Sequence, residues 1–168
     1  MRISSMSGLR ICGAALSVAL ASLPLLAADK VPPAAPAPVP AQILTASKVF
    51  ISNAGVTVAA LDTLIKISWG VNEPYNQFYA AMKSWGRFEI VSTPAKADLV
   101  LEIRCDTFLF ILTILDSKTH FILWTITQPV KVAALEKTWE KNFSQGIGNL
   151  VGDLKGLAAQ PDASGTKP

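Results

Sequence analysis

Residues 98–127 read DLVLEIRCDTFLFILTILDSKTHFILWTIT, and three strands can be cut from them. In Asp98–Cys105, Leu99, Leu101, Ile103 and Cys105 alternate with Asp98, Glu102 and Arg104; only Val100 breaks the rule. A period of two sends alternate side chains to opposite faces, so this is a strand with one wet face. Phe108–Leu115, FLFILTIL, is apolar on both faces. Asp116-Ser117-Lys118-Thr119 has the chemistry of a hairpin connection, with a carboxylate placed to bond the turn backbone. Phe121–Thr127, FILWTIT, then pairs back, and Pro129 ends it. The stretch predicts an antiparallel meander.

Working outward, Phe88–Ser92 is a strand and Thr93–Lys96 a loop. Before them, Asn72-Glu73-Pro74 has the pattern of a helix start, with Asn72 as cap. Tyr75, Phe78, Tyr79, Met82 and Trp85 recur at helical spacing on one aromatic face, and Gly86 stops the run. Ser47–Asn53 is a first strand, and residues 56–71 hold apolar residues without one clean period, with a short helix near 59–66. Downstream, Leu135, Trp139, Phe143, Ile147, Leu150, Val151, Leu154 and Leu157 form the stripe of a helix covering at least 138–158. Its glycines cost about 1 kcal/mol each relative to alanine, so packing must hold it, and they allow close approach to a sheet. The order β-α-β-β-β-β-α predicts an α+β two-layer sandwich, with a mixed, roughly five-stranded sheet and two helices mainly on one face.

The ends are of different character. Arg2 and Arg10 precede Ile11–Ala28, which carries no charge and closes on small residues. That is the pattern of a secretory signal peptide over 1–28, cleaved near Ala27-Ala28, and it implies a periplasmic or secreted protein. An uncleaved anchor is the competing reading, which Gly13 and Pro24 oppose. Residues 29–44 are a Pro/Ala-rich linker, and the five prolines of 31–42 should hold that stretch as extended polyproline II. The domain spans 45–159, and 160–168 is a polar tail. The whole chain has 168 residues, a net charge of +3 and 51% hydrophobic residues. Without the leader, 13 basic residues face 12 acidic ones, so nothing remains to steer toward nucleic acid. Cys12 leaves with the leader, and Cys105 alone cannot form an intrachain disulfide.

The runs Trp85-Gly86-Arg87-Phe88-Glu89-Ile90-Val91 and Pro94-Ala95-Lys96-Ala97-Asp98-Leu99-Val100, with Leu115–Thr119 leading to Leu123-Trp124, carry a resemblance over about residues 47–158. The chain resembles uncharacterised secreted and periplasmic α/β proteins of soil bacteria such as acidobacteria. More distantly it is similar to small α/β domains of bacterial envelope proteins: the N-terminal domain of the Tol-system propeller protein and the curli-secretion lipoprotein family. The resemblance implies a fold and an envelope setting, and brings no catalytic residue set with it.

The residues offer little chemistry. Cys105 and His120 are a conceivable nucleophile and base, but alternation points Cys105 into the core. One cysteine and one histidine fall short of a zinc site. Asp98, Glu102 and Asp106 stand roughly 13 Å apart along a strand, too far for two to act on one bond. Asp116, Lys118 and His120 read as a hairpin turn, and Tyr75, Phe78, Tyr79 and Trp85 as core before ligand pocket. No cofactor and no metal is expected. What stands out is surplus apolar area: Phe108 and Phe110, or Phe121 and Leu123, should look outward from the sheet as an interaction surface. Residues 54–71 are the natural cover for it. The expectation is a non-enzymatic interaction domain whose partner is an envelope protein or a second copy, touching membrane only through its leader. A small apolar-ligand carrier using that face is the alternative, and an enzyme the third reading.

Overall fold

The computed structural model describes residues 37–57, 59–60, 70–131 and 133–160. The leader, the linker up to residue 36, residues 61–69 of the expected cover and the tail from 161 lie outside the described residues. The elements are α1 (Ala41–Thr45), β1 (Lys48–Val56), α2 (Glu73–Trp85), β2 (Glu89–Ile90), a 3-10 turn at Pro94–Lys96, β3 (Leu99–Asp106), β4 (Leu109–Asp116), β5 (Ile122–Pro129) and α3 (Glu136–Ala158). Five strands form one open mixed sheet in the order β2-β1-β3-β4-β5, an α+β fold. β1 runs parallel to both β2 and β3, and β3-β4-β5 is the antiparallel meander.

Alternation in β3 buries Leu99, Leu101, Ile103 and Cys105. Register carries that face across the sheet: Leu101 lies opposite Ile114, Ile103 opposite Leu112 and Cys105 opposite Phe110. Val49 and Ile51 of β1 and Ile126 of β5 complete it. Phe78 and Met82 of α2 and Trp139, Phe143, Ile147, Leu150, Val151 and Leu154 of α3 close over it as one core. The Trp139 indole N–H is buried there and meets no acceptor among the described residues. On the other face Phe50, Val100, Ile111 and Leu115 are half-buried and Arg104 is exposed.

Several expectations change. The extended stretch expected to residue 42 stops sooner, because Ala41 starts a helix whose Ile43 is fully buried in the core. Packed structure thus begins before residue 45, and Arg87 donates a guanidinium hydrogen bond to the Leu44 carbonyl from across the fold. Asn72 does not cap α2 with its side chain; its amide oxygen accepts from the Asn53 side chain instead. Gly86 does end α2, in the left-handed region at φ 69°, which glycine reaches without a Cβ clash. Leu135 leaves the α3 stripe: it is the residue before the first turn and is 72% exposed. β2 shrinks to two residues.

Asp98 holds the point where the chain returns past β1 to enter β3. Its Oδ2 accepts from the Ser47 amide at 2.9 Å, the Lys48 amide at 2.8 Å and the Ser47 hydroxyl at 3.1 Å. The Ser47 amide, then that of Lys48, hold this carboxyl below its ordinary value. A lowered folded pKa means the stabilisation is present above the unfolded carboxylate range and is lost as pH falls through the folded value. Asp98→Ala should therefore cost about 1 kcal/mol at pH 7, the site being solvent-exposed, and the gap from wild type should narrow below pH about 4. Urea melts at both pH values check this; a gap unchanged with pH would refute it.

Candidate interaction surface

The meander ends on β5, so among the described residues β5 is an edge of the sheet. Its eight residues, Ile122–Pro129, carry no charge, and it is the one described strand of which that is true. Thr125 and Thr127 are exposed along it. At its start Phe121 is 72% exposed and Ile122 65%. A register shift at Ile114/Leu115 leaves Leu123 as an extra residue on β5, a bulge. The opposite edge differs: β2 has two residues, and Glu89 pairs with Lys48 at 3.7 Å. Short, charged edges resist further strand pairing, whereas long uncharged ones invite it.

The hairpin presenting Phe121 is built by Asp116. Its Oδ1 accepts from the Thr119 amide (2.7 Å), the Thr119 hydroxyl (2.9 Å) and the Lys118 amide (3.0 Å). These bonds, that of the Thr119 amide first, lower its pKa and fix the turn. His120 follows in the left-handed region at φ 59°, turning the chain into β5. Asp116 and Lys118 border a hollow of about 320 Å³ with Asp98, Ser47 and Gln42, while His120 is not among its walls. Both carboxylates there are engaged with backbone amides.

The four expected surface residues do not share a surface. Phe110 is fully buried, edge-on to Phe143 with ring centres 4.7 Å apart. Phe108 is half-buried against Trp139 at 5.8 Å. These two therefore face the helices, because the Cys105–Phe110 register puts even-numbered β4 residues on the α3 side. Leu123 is half-buried against the core. Of the four, Phe121 alone is strongly exposed, and it stands at the opposite end of the hairpin from Phe110. Ile122, Thr125 and Thr127 were missed, although the last strand of a meander is a natural edge and FILWTIT has no charge to guard it.

Beside β5 on the helix face lies a hollow of about 490 Å³ between Trp124–Thr127 and the Gly152, Asp153, Gly156 and Leu157 side of α3. Gln128 donates to the Asp153 carboxylate nearby. A Cβ added at Gly152 or Gly156 would meet nothing within 4 Å. The aromatic face of α2, expected as core, is so only in part: Phe78 is core, Trp85 packs against it edge-on to Phe88 at 5.2 Å, and Tyr75 and Tyr79 line a smaller hollow of about 310 Å³ with Phe50 and Ile90. Cys105 is buried and its thiol is pushed up to about 11 by burial and the Asp106 charge, which keeps it protonated. Among the described residues no group of three or more His, Cys, Asp or Glu could hold a metal, and no helix is long and apolar enough to cross a membrane. Neither protein-family models nor curated proteins match this chain.

Proposed function

We propose that this chain is a non-enzymatic interaction domain that works in the periplasm or outside the cell and presents the β5 edge, with Phe121 and Ile122 beside it, to a protein. One observation carries the reading: an eight-residue edge strand without a charge, on a sheet whose other edge is short and ion-paired. Unpaired strand backbone and exposed apolar side chains are together the ingredients of strand addition. The leader-like first 28 residues and the resemblance to envelope domains support the setting. The test is photo-crosslinking in cells that make the protein. A photoreactive residue at Ile122 should yield an adduct of defined mass, and one at Glu140, exposed on α3, should not. No adduct at Ile122, or an equal one at Glu140, would overturn the proposal.

A further inference from the structure

We infer that the occupant of this edge is a second copy of the same chain, joined β5 to β5 in an antiparallel pair whose two-fold axis passes Ile126. The inference rests on the edge being the interaction surface. Its first support is the direction of the backbone. The Val130 amide donates to the Phe108 carbonyl at 2.7 Å. In an antiparallel ladder hydrogen-bonded pairs alternate, so residues 124, 126 and 128 turn their backbone to β4. Thr125 and Thr127 then turn their N–H and C=O groups outward, away from β4.

Those outward groups select one register. An axis at Ile126 sets Thr125 of each chain opposite Thr127 of the other, and all four outward N–H groups find a carbonyl. An axis at Thr127 would set Thr125 against Pro129, which has no N–H to give. An axis at Thr125 would require the bulged Leu123 to pair. Only the axis at Ile126 uses regular, fully equipped residues throughout.

Charge agrees. A two-fold axis brings each residue against itself or its near neighbours, so any charge on such an edge meets a like charge. Every other described strand carries at least one charged residue and β5 none. In the proposed register the opposed pairs are Thr125 with Thr127, Ile126 with itself and Trp124 with Gln128, all neutral. Threonine pairs across strands are favourable. An edge of this length falls short of the ~1,000 Å² that a stable interface needs. The 490 Å³ hollow beside Trp124 and Ile126, bordered by Gly152 and Gly156, gives the second copy's side chains somewhere to seat, and the exposed Phe121 and Ile122 add apolar surface next to the paired residues. Two five-stranded sheets would become one continuous ten-stranded sheet.

Sedimentation of the full chain across a concentration series is the test. The wild type should sediment as a dimer. Thr127→Pro, which removes an outward N–H without touching the β4 ladder, and Thr125→Lys should each weaken dimerisation at least tenfold while circular dichroism stays native. Because either variant can fail to fold, oxidation of cysteine variants provides a gain-of-signal arm. Thr125→Cys with Thr127→Cys should form a covalent dimer, and Thr125→Cys alone should not, its copies being offset by two residues and beyond disulfide reach. A monomer at every concentration, a dimer indifferent to both edge variants, or a disulfide from Thr125→Cys alone would overturn the pairing. A monomer whose Ile122 crosslinks to a different protein would sink this inference and leave the interaction-domain reading standing. A monomer with the Thr125 and Thr127 amides protected from hydrogen exchange would show that the chain's own residues cover the edge.

Discussion

Phe110→Ala should lower stability by about 3–5 kcal/mol, the largest effect expected from any single truncation in the β4–β5 hairpin. The ring is fully buried where β4 meets α3, edge-on to Phe143 and in the same register row as Cys105. Three kinds of contact vanish with it: transfer of the ring out of water, its quadrupole contact with Phe143, and the packing of α3 over the sheet. The neighbours cannot follow the ring inward. Phe143 is anchored on a helix also pinned by Trp139 and Ile147, and strand pairing on both sides holds the β4 backbone. A void therefore remains. For a domain of this size the loss corresponds to a fall in Tm of roughly 12–20 °C. Thermal melts followed by circular dichroism decide the matter, and a loss under about 1 kcal/mol would mean that Phe110 is not a core residue.

Gly146→Ala should destabilise by about 1–3 kcal/mol, although alanine is the better helix former. Gly146 is buried on α3 directly against Phe110. An added Cβ would lie 2.9 Å from Phe110 Cε2, closer than a Cβ normally approaches any atom, and 3.2 Å from Cδ2, tighter than most carbon contacts. The ring cannot swing away because Phe143 stands against it. Gly148, two residues on, is exposed and open, so Gly148→Ala should instead stabilise by about 0.5–1 kcal/mol. The cause can be isolated. In a Phe110→Leu background the smaller side chain clears the space, and the cost of Gly146→Ala should shrink, with a coupling above about 0.5 kcal/mol. Additive effects, or a stabilising Gly146→Ala, would show that close approach is not why a glycine stands there.

Phe110 and Gly146 lie on the boundary between what local pattern encodes and what packing decides. Glycine in α3 was rightly linked to close approach, but only Gly146 has that role; Gly148, Gly152 and Gly156 look into open space. Helical spacing does not reveal which glycine touches the sheet, since that depends on the phase of α3 over β4. Phe108–Leu115 failed similarly. Its period of two separates the faces, yet both faces are apolar, so alternation alone does not say which one meets the helices. The Cys105–Phe110 pairing decides it. The expected surface of Phe108 and Phe110 thus turned toward the helices, Phe110 as core and Phe108 half-buried against it, and exposure moved to Phe121 and Ile122 at the far end of the hairpin.

Local rules were sufficient wherever a residue acts on its own neighbourhood. The alternation of Leu99, Leu101, Ile103 and Cys105 set a strand and its buried side. Gly86 stopped a helix by adopting a positive φ, and the Asp116 carboxylate tied a turn a few residues long. That β5 carries no charge is likewise legible in the chain. Tertiary structure alone decided that β5 is an edge while β1 sits between two parallel neighbours, that β2 is only two residues long, and that Ile43 belongs to the core. The reason is the range of the interactions. Period, propensity and capping are written in spacings of two to four residues, whereas edges, covered faces and close approaches depend on partners far apart in the chain. An uncharged strand is an ordinary core element until strand order leaves one of its sides without a neighbour.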